Sequence, residues 1–398
     1  MDSRFQALAE LCVSATAVQP GQVVAVGAYT GQEELARAVA EAAYAAGALY
    51  VDVLYFDPFV KRSRITHADP ETLDFVPSWL PARLEALAER GDARIGFAGI
   101  VAPNALAGLD PALSGRDQLP WLKEASRIVS ERLTNWNIVP CPHPEWAKVV
   151  FPDLSADAAY DKLWDQLWHI LRLDEPDPAA AWAARSDQLK ASAAALNARR
   201  FDALHFAGEG TDLTVGLLPS GTFGGGAFTN VNGIVHLPNV PTEEVFTSPD
   251  PERTEGFVTS TKPLVFRDGT IVEGLKVRFE GGRAVEITAD VNGEGLRSKT
   301  ELDEGAARLG EVAIVDGQGR IGPLGTVFYD TLLDENAASH IALGGGFGFA
   351  ADDQADRDRI NKSGIHIDFM IGSPEMEIDG ITHAGERIPV LRSGKWQI

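Results

Sequence analysis

Cysteine is nearly absent: the 398 residues hold only Cys12 and Cys141. With no CxxC pair and no metal-ligand spacing between them, they point to a reducing compartment or to indifference to redox. Long apolar runs are missing as well. No uncharged apolar stretch reaches the roughly 18 residues of a membrane-spanning helix, so no span is expected. Positive charge is scarce. Lys and Arg number 35 against 57 Asp and Glu, a formal net charge of −22. Such a surface repels phosphates and anionic lipid, which argues against nucleic acid and membrane as partners, and it steers cationic ligands inward. The opening "MDSRFQALAELCVSATAVQPGQ" has the pattern of an amphipathic helix rather than a signal peptide, and the expected location is the cytoplasm. No GxSxG elbow supports serine hydrolysis. "GEGTDLTVGL" lacks the GxGxxG of a dinucleotide loop.

Apolar residues make up 45% of the chain and charged residues 23%, ordinary values for a folded protein. The length suggests two or three domains. The first half alternates strand and helix patterns: "QVVAVGAY" (22–29), a helix over 31–47 ending at Gly47, "LYVDVLYF" (49–56), a mostly helical 70–91, "ARIGFAGIVA" (93–102), a helix over 119–135, and "WNIVPCP" (136–142). This alternation predicts an α/β domain with a mainly parallel sheet over residues 1–200. Helices near 156–173 and 178–200 close it. After Phe201 short apolar runs alternate with Gly, Asn and Asp turns, and "EGGR" (280–283) reads as a hairpin. Residues 201–398 are therefore expected to form a β-rich α+β domain.

"IHIDFMIG" (365–372) is a strand pattern interrupted by His366 and Asp368. Alternation puts both on one face and Ile365, Ile367 and Phe369 on the other. Two polar groups on an otherwise apolar strand need partners, and a divalent metal satisfies an imidazole and a carboxylate at once. A buried His–Asp hydrogen bond is the plainer explanation of an isolated HxD. "YDTLLDENAASHIALGGG" (329–346) carries His340. Read as a helix, it sets Asn336 one turn earlier on the same face, where it would orient the imidazole. Glu311 opens an apolar strand in "ARLGEVAIVD" (307–316). Glu243 and Glu244 stand between prolines in "PNVPTEEVFTSPD" (238–250), where a solvated loop is the common reading. Two glutamates, two histidines and an aspartate form a ligand set suited to two metals, although no local spacing rule joins them.

The C-terminal half resembles the aminopeptidase T and aminopeptidase S type of metallopeptidase. The stretches that carry the resemblance are "GTDLTVGL" (210–217), "PNVPTEEVFTSP", "STKPL" (260–264), "DEGAARLGEVAIV" (303–315), "FYDTLLDENAASHIALG" (328–344) and "IHIDFMIGSPEMEIDGI" (365–381), in the family's order. "QPGQVV", "YAAGA" and "DPAAAW" extend it over nearly the whole chain. The resemblance implies a two-metal exopeptidase that removes N-terminal amino acids from short peptides, with Glu244, Glu311, His340, His366 and Asp368 as metal ligands and Glu244 and Glu311 as catalytic carboxylates. Glu244 is preferred over Glu243 because it directly precedes the family's "VFT". Two zinc, cobalt or manganese ions per chain and a homodimer enclosing its active sites are further implications. Where the family has a catalytic tyrosine seven residues after the histidine matching His340, this sequence has Phe347, which carries no hydroxyl. Relatives of the family also suggest an alternative, a ring-cleaving dioxygenase with a single iron on His340, His366 and Asp368, or a metal-binding protein with altered or lost peptidase activity. The glycine-started, charged tract 344–364 lies between two of the ligands and is expected to form a mobile loop near the site mouth.

Overall fold

The computed structural model describes residues 2–117, 119–120, 122–266 and 270–398. Two compact units emerge, Met1–Ala183 with Ala227–Pro241, and Ala184–Gly226 with Thr242–Ile398. The chain passes between them at three points rather than at a single linker.

The first unit is built on a four-stranded sheet of β1 (Val23–Tyr29), β2 (Tyr50–Phe56), β3 (Ala93–Ala98) and β4 (Asn135–Pro140). Its order is β2-β1-β3-β4 and every pair is parallel. Parallel neighbours need crossovers, and helices such as Glu33–Ala45 and Trp79–Arg90 supply them. The first of these ends where the sequence suggests. Gly47 has φ +93°, and its N–H returns to the Tyr44 carbonyl, a conformation that glycine adopts without Cβ strain. Within the helix expected over 119–135, Lys123–Ser130 is helical and Trp121 lies outside the described residues. Cys12 and Cys141 are buried free thiols. No helix among the described residues is long and apolar enough to cross a membrane.

Among the described residues the second unit holds two large antiparallel sheets and a two-stranded one, Leu264–Val265 with Ile271–Val272. An eight-stranded one contains the "EGGR" hairpin, Lys276–Glu280 with Arg283–Thr288. The other has five strands: β5 (Gly224–Gly225), β6 (Glu244–Thr247), β7 (Leu309–Val315), β8 (His340–Gly344) and β9 (His366–Met370), in the order β9-β8-β7-β6-β5. One face of this sheet is apolar. Val245, Val312, Ile314, Ile341, Leu343 and Phe369 enter the unit's main core, with Ile367 packed against it. Burial of each such side chain is worth about 1.5–3 kcal/mol, which fixes the register, because a one-residue slip would turn the whole set outward. The opposite face is thereby left to the alternate residues, among them every titratable side chain of these strands.

Candidate metal centre

The pairing registers put five titratable residues on that second face. Glu244 stands opposite Val315, His340 opposite Ala313, and Glu311 and Asp368 flank Ala342 from either side. His366 pairs with Gly344. The intervening positions Ala313, Ala342 and Gly344 are small, which leaves the long side chains room to converge. Their ligand atoms fall into overlapping groups, each within 4.8 Å: Glu244, Glu311 and His340; Glu311, His366 and Asp368; and Glu335, His340 and Asp368.

The distances show how the groups interlock. His340 Nε2 lies 3.0 Å from Glu244 Oε2 and 3.9 Å from Glu311 Oε1. His366 Nε2 lies 3.1 Å from Glu311 Oε2 and 3.3 Å from Asp368 Oδ1. Glu311 therefore offers one oxygen to each histidine. Glu244 Oε2 is within hydrogen-bond distance of the imidazole yet makes no aligned hydrogen bond.

Both imidazoles are held at the other nitrogen. His340 Nδ1 is 3.2 Å from the Ala338 carbonyl and His366 Nδ1 is 2.7 Å from the Gly345 carbonyl. A carbonyl can only accept, so Nδ1 carries a proton, and once Nε2 gives up its own the neutral ring presents a lone pair to the cluster. That tautomer is the metal-binding one.

The electrostatics show how strongly the cluster draws positive charge, a proton on each imidazole included. Burial, together with Glu244 and Asp368 and in spite of a hydrogen bond from His366, pushes the Glu311 carboxyl up to about 7. Burial, then Asp368 and Glu244, raises Glu335 well above the usual carboxylate range. Burial pulls His340 down, but Glu244, Glu311 and Asp368 overcome it and push the imidazole up to about 10. In His366 burial is likewise outweighed, by Asp368 and Glu311, and the ring is raised well above its ordinary value. Four carboxylates packed together cannot all ionise without cations. Two divalent ions would balance a charge of −4. Donor types, tautomers and charge all fit divalent metal.

Three readings from the sequence change here. His340 does not lie on a helix. The helix Thr331–Glu335 stops at Asn336, and His340 opens β8 because its neighbours Ile341–Leu343 complete the sheet. Asn336 accordingly does not orient the imidazole. Its Oδ1 accepts from the Glu243 N–H at 2.6 Å and its Nδ2 donates to the Leu332 carbonyl at 2.9 Å, so it ties the start of β6 to the short helix. Glu243 and Glu244 do not form a solvated loop but are buried, and they diverge. Arg185 donates from Nε to Glu243 at 2.5 Å and from Nη2 to Asp316 at 2.8 Å, all three nearly inaccessible. Successive residues of an extended chain point to opposite sides, so pinning Glu243 on Arg185 turns Glu244 toward His340. Removing Arg185 would strand two buried carboxylates. Arg185→Ala is expected to lower stability by about 3–5 kcal/mol, read from the denaturant midpoint.

Glu335 is the member that sequence reasoning passed over. It is a carboxylate closing a short apolar turn, five residues before His340, in a stretch already singled out. Its position facing His340 and Asp368 depends on where the helix stops, which side-chain periodicity does not reveal. Phe347 sits beside the cluster, its ring centroid 5.4 Å from that of His366.

The sequence model of the family described as "Thermophilic metalloprotease (M29)" matches residues 1–396. The chain belongs to this family. As an M29 metalloprotease it is 42% identical to aminopeptidase T of Thermus aquaticus over 98% of each chain. It is 39% identical to aminopeptidase PepS of Streptococcus thermophilus, over 96% of this chain and 94% of that one. The solved structure of wild-type AmpT from Thermus thermophilus superposes with a TM-score of 0.91 at 42% identity, covering 100% of this chain and 99% of that one. A 2,5-dihydroxypyridine dioxygenase from Pseudomonas putida KT2440 matches with a TM-score of 0.55 at 13% identity over 99% of each chain, and that likeness shows the fold alone.

Proposed function

We propose that this metalloprotease, an aminopeptidase, removes the first residue of short peptides with the cluster on the five-stranded sheet, holding two divalent cations there. The carrying observation is the division of Glu311 between two histidines, Oε1 toward His340 and Oε2 toward His366. Glu244, Glu311 and His340 form one set of donors, and Glu311, His366 and Asp368 the other. Bound there, such ions supply Lewis acidity and lower the pKa of water to near neutrality. Zinc, cobalt and manganese all suit imidazole and carboxylate donors.

The chain's own residues do the rest. The Ala338 and Gly345 carbonyls keep each Nε2 lone pair directed into the cluster. Glu244 and Glu311 are the catalytic carboxylates: Glu311 gives one oxygen to each set of donors, and Glu244, with Oε2 on the cluster, has its other oxygen to accept the proton of the attacking water. Glu335 adds a further negative group, suited to the ammonium of the substrate's free N-terminus. A lone iron on His340, His366 and Asp368 would leave Glu244 and Glu311 buried without a cation, which argues against the dioxygenase chemistry.

Hydrolysis of unblocked peptides, set against their N-acetylated counterparts, tests this reading. The unblocked peptides should lose their first residue, and the acetylated ones should resist. Equal cleavage of both would contradict an aminopeptidase. We further assign the enzyme to the cytoplasm as a homodimer. Support comes from the free thiols of Cys12 and Cys141 and from edge strand β2 with the segment after it, where Tyr50, Tyr55, Phe59 and Val60 are exposed. A dimer mass by light scattering at micromolar concentration is the expected result, and a monomer would refute the assembly.

A further inference from the structure

The tract 344–364 does not hang free beside the site. Gly346 donates to the Asn361 carbonyl at 2.9 Å, and the Phe347 N–H donates to Ser248 Oγ at 2.8 Å. Within the helix Gln354–Arg359, Asp356 accepts from the Ser220 N–H at 2.7 Å and Arg359 pairs with Asp250 at 2.5 Å. A Cβ on Gly346 would come within 2.7 Å of Ser248 Oγ and 2.8 Å of the Gly310 carbonyl, so only glycine lets the loop seat this closely. The turn is thereby preformed, and it presents two aromatic rings.

Phe347 and Phe349 stack with centroids 5.5 Å apart and an interplanar angle of 26°. Phe246, buried at the base, meets Phe347 edge-on at 5.2 Å and Phe349 at 6.4 Å. Phe347 and Phe349 are only half-buried, although apolar core lies close at hand. Phe347 also borders the His366 ring. His366 is the most open of the five histidine and acidic side chains on the sheet face, 30% exposed where the others are 10% or less, so the cluster is reached from its side. A peptide arriving there meets Phe347 beside His366, with the half-buried Phe349 stacked on it. Neither ring offers charge or a hydroxyl to a polar side chain.

We infer that Phe347 and Phe349, on the floor supplied by Phe246, form the surface that receives the side chain of the substrate's first residue and select peptides beginning with a large apolar or aromatic residue. This assignment rests on the aminopeptidase reading. It makes Phe347 a specificity residue, placed by the Ser248 hydrogen bond and the Gly346 contact.

The test compares kcat/KM for dipeptides starting with Leu, Phe, Gly or Lys, using the metal-loaded parent protein and its Phe347→Ala, Phe349→Ala and Phe347→Leu variants. The parent should favour Leu and Phe over Gly and Lys by at least about tenfold, since even one methylene in an apolar pocket is worth about tenfold or more. Phe347→Ala should shrink the Leu-to-Gly ratio by about tenfold, and Phe347→Leu should keep it within about threefold. Calorimetric titration with free leucine and free glycine gives a readout independent of turnover. Leucine affinity should fall in Phe347→Ala and Phe349→Ala while glycine affinity holds. A Leu-to-Gly ratio and a leucine affinity unmoved in both alanine variants would overturn the assignment, as would a parent that prefers Gly or Lys. A parent that releases no first residue from any peptide would instead defeat the aminopeptidase reading, and this inference with it.

Discussion

His366→Ala is expected to remove peptidase activity and one equivalent of bound metal, while the metal-free protein still folds cooperatively. The two halves of that result come from the two faces of β9. Ile367 and Phe369 supply the packing, whereas His366 points to the open face and touches acidic groups. Changes to groups that merely orient ligands commonly cost about 10–100-fold in affinity or activity, so loss of a donor should cost more than about 100-fold. Metal analysis and a denaturant titration on the same preparation decide the matter. A collapsed midpoint with metal content unchanged would mark His366 as part of a structural hydrogen bond.

The second large effect is expected at Glu311. Glu311→Gln keeps the shape and removes the charge that both histidines share, so kcat/KM should fall by at least about 100-fold. Stability should move the other way. The folded carboxyl titrates at about 7 against an ordinary 4.5. An acid whose pKa is raised by folding costs stability progressively as pH climbs from the lower value through the higher. Glutamine removes that cost, so at pH 8 the metal-free variant should be at least as stable as the parent, and the advantage should vanish by about pH 4. Thermal unfolding at the two pH values checks the sign. A variant less stable than the parent at pH 8 would show that Glu311 serves mainly as the hydrogen-bond partner of His366.

Much of the centre was legible because strand alternation is a local rule. The two-residue spacing of His366 and Asp368 gives their common face without any knowledge of neighbours. Glu311 is less legible, since "LGEVAIV" is apolar on both sides of it, and its place among the ligands rests on the family resemblance. What brings these residues to Glu244 and His340 is the pairing of strands far apart in the chain, Glu244 with Val315 and Ala342 with Asp368, and no spacing in the sequence encodes it. His340 was misread as helical because "LLDENAASH" is rich in helix formers. Sheet pairing of Ile341–Leu343 overrides that propensity, as tertiary context often does. The choice between Glu243 and Glu244 turns on Arg185, nearly 60 positions upstream, whose guanidinium claims the first and leaves the second to the cluster with His340. Glu335 was missed for the related reason that its direction depends on a helix end.

Metal titration of the chelator-treated protein tests the central claim most directly. Zinc, cobalt or manganese is added stepwise while bound metal and release of the first residue from an unblocked peptide are followed together. The account predicts no hydrolysis before metal is added, uptake that levels off at about two ions per chain, and activity that rises with that uptake. Hydrolysis that persists in the chelated protein would contradict it, as would uptake of a single iron accompanied by oxygen consumption.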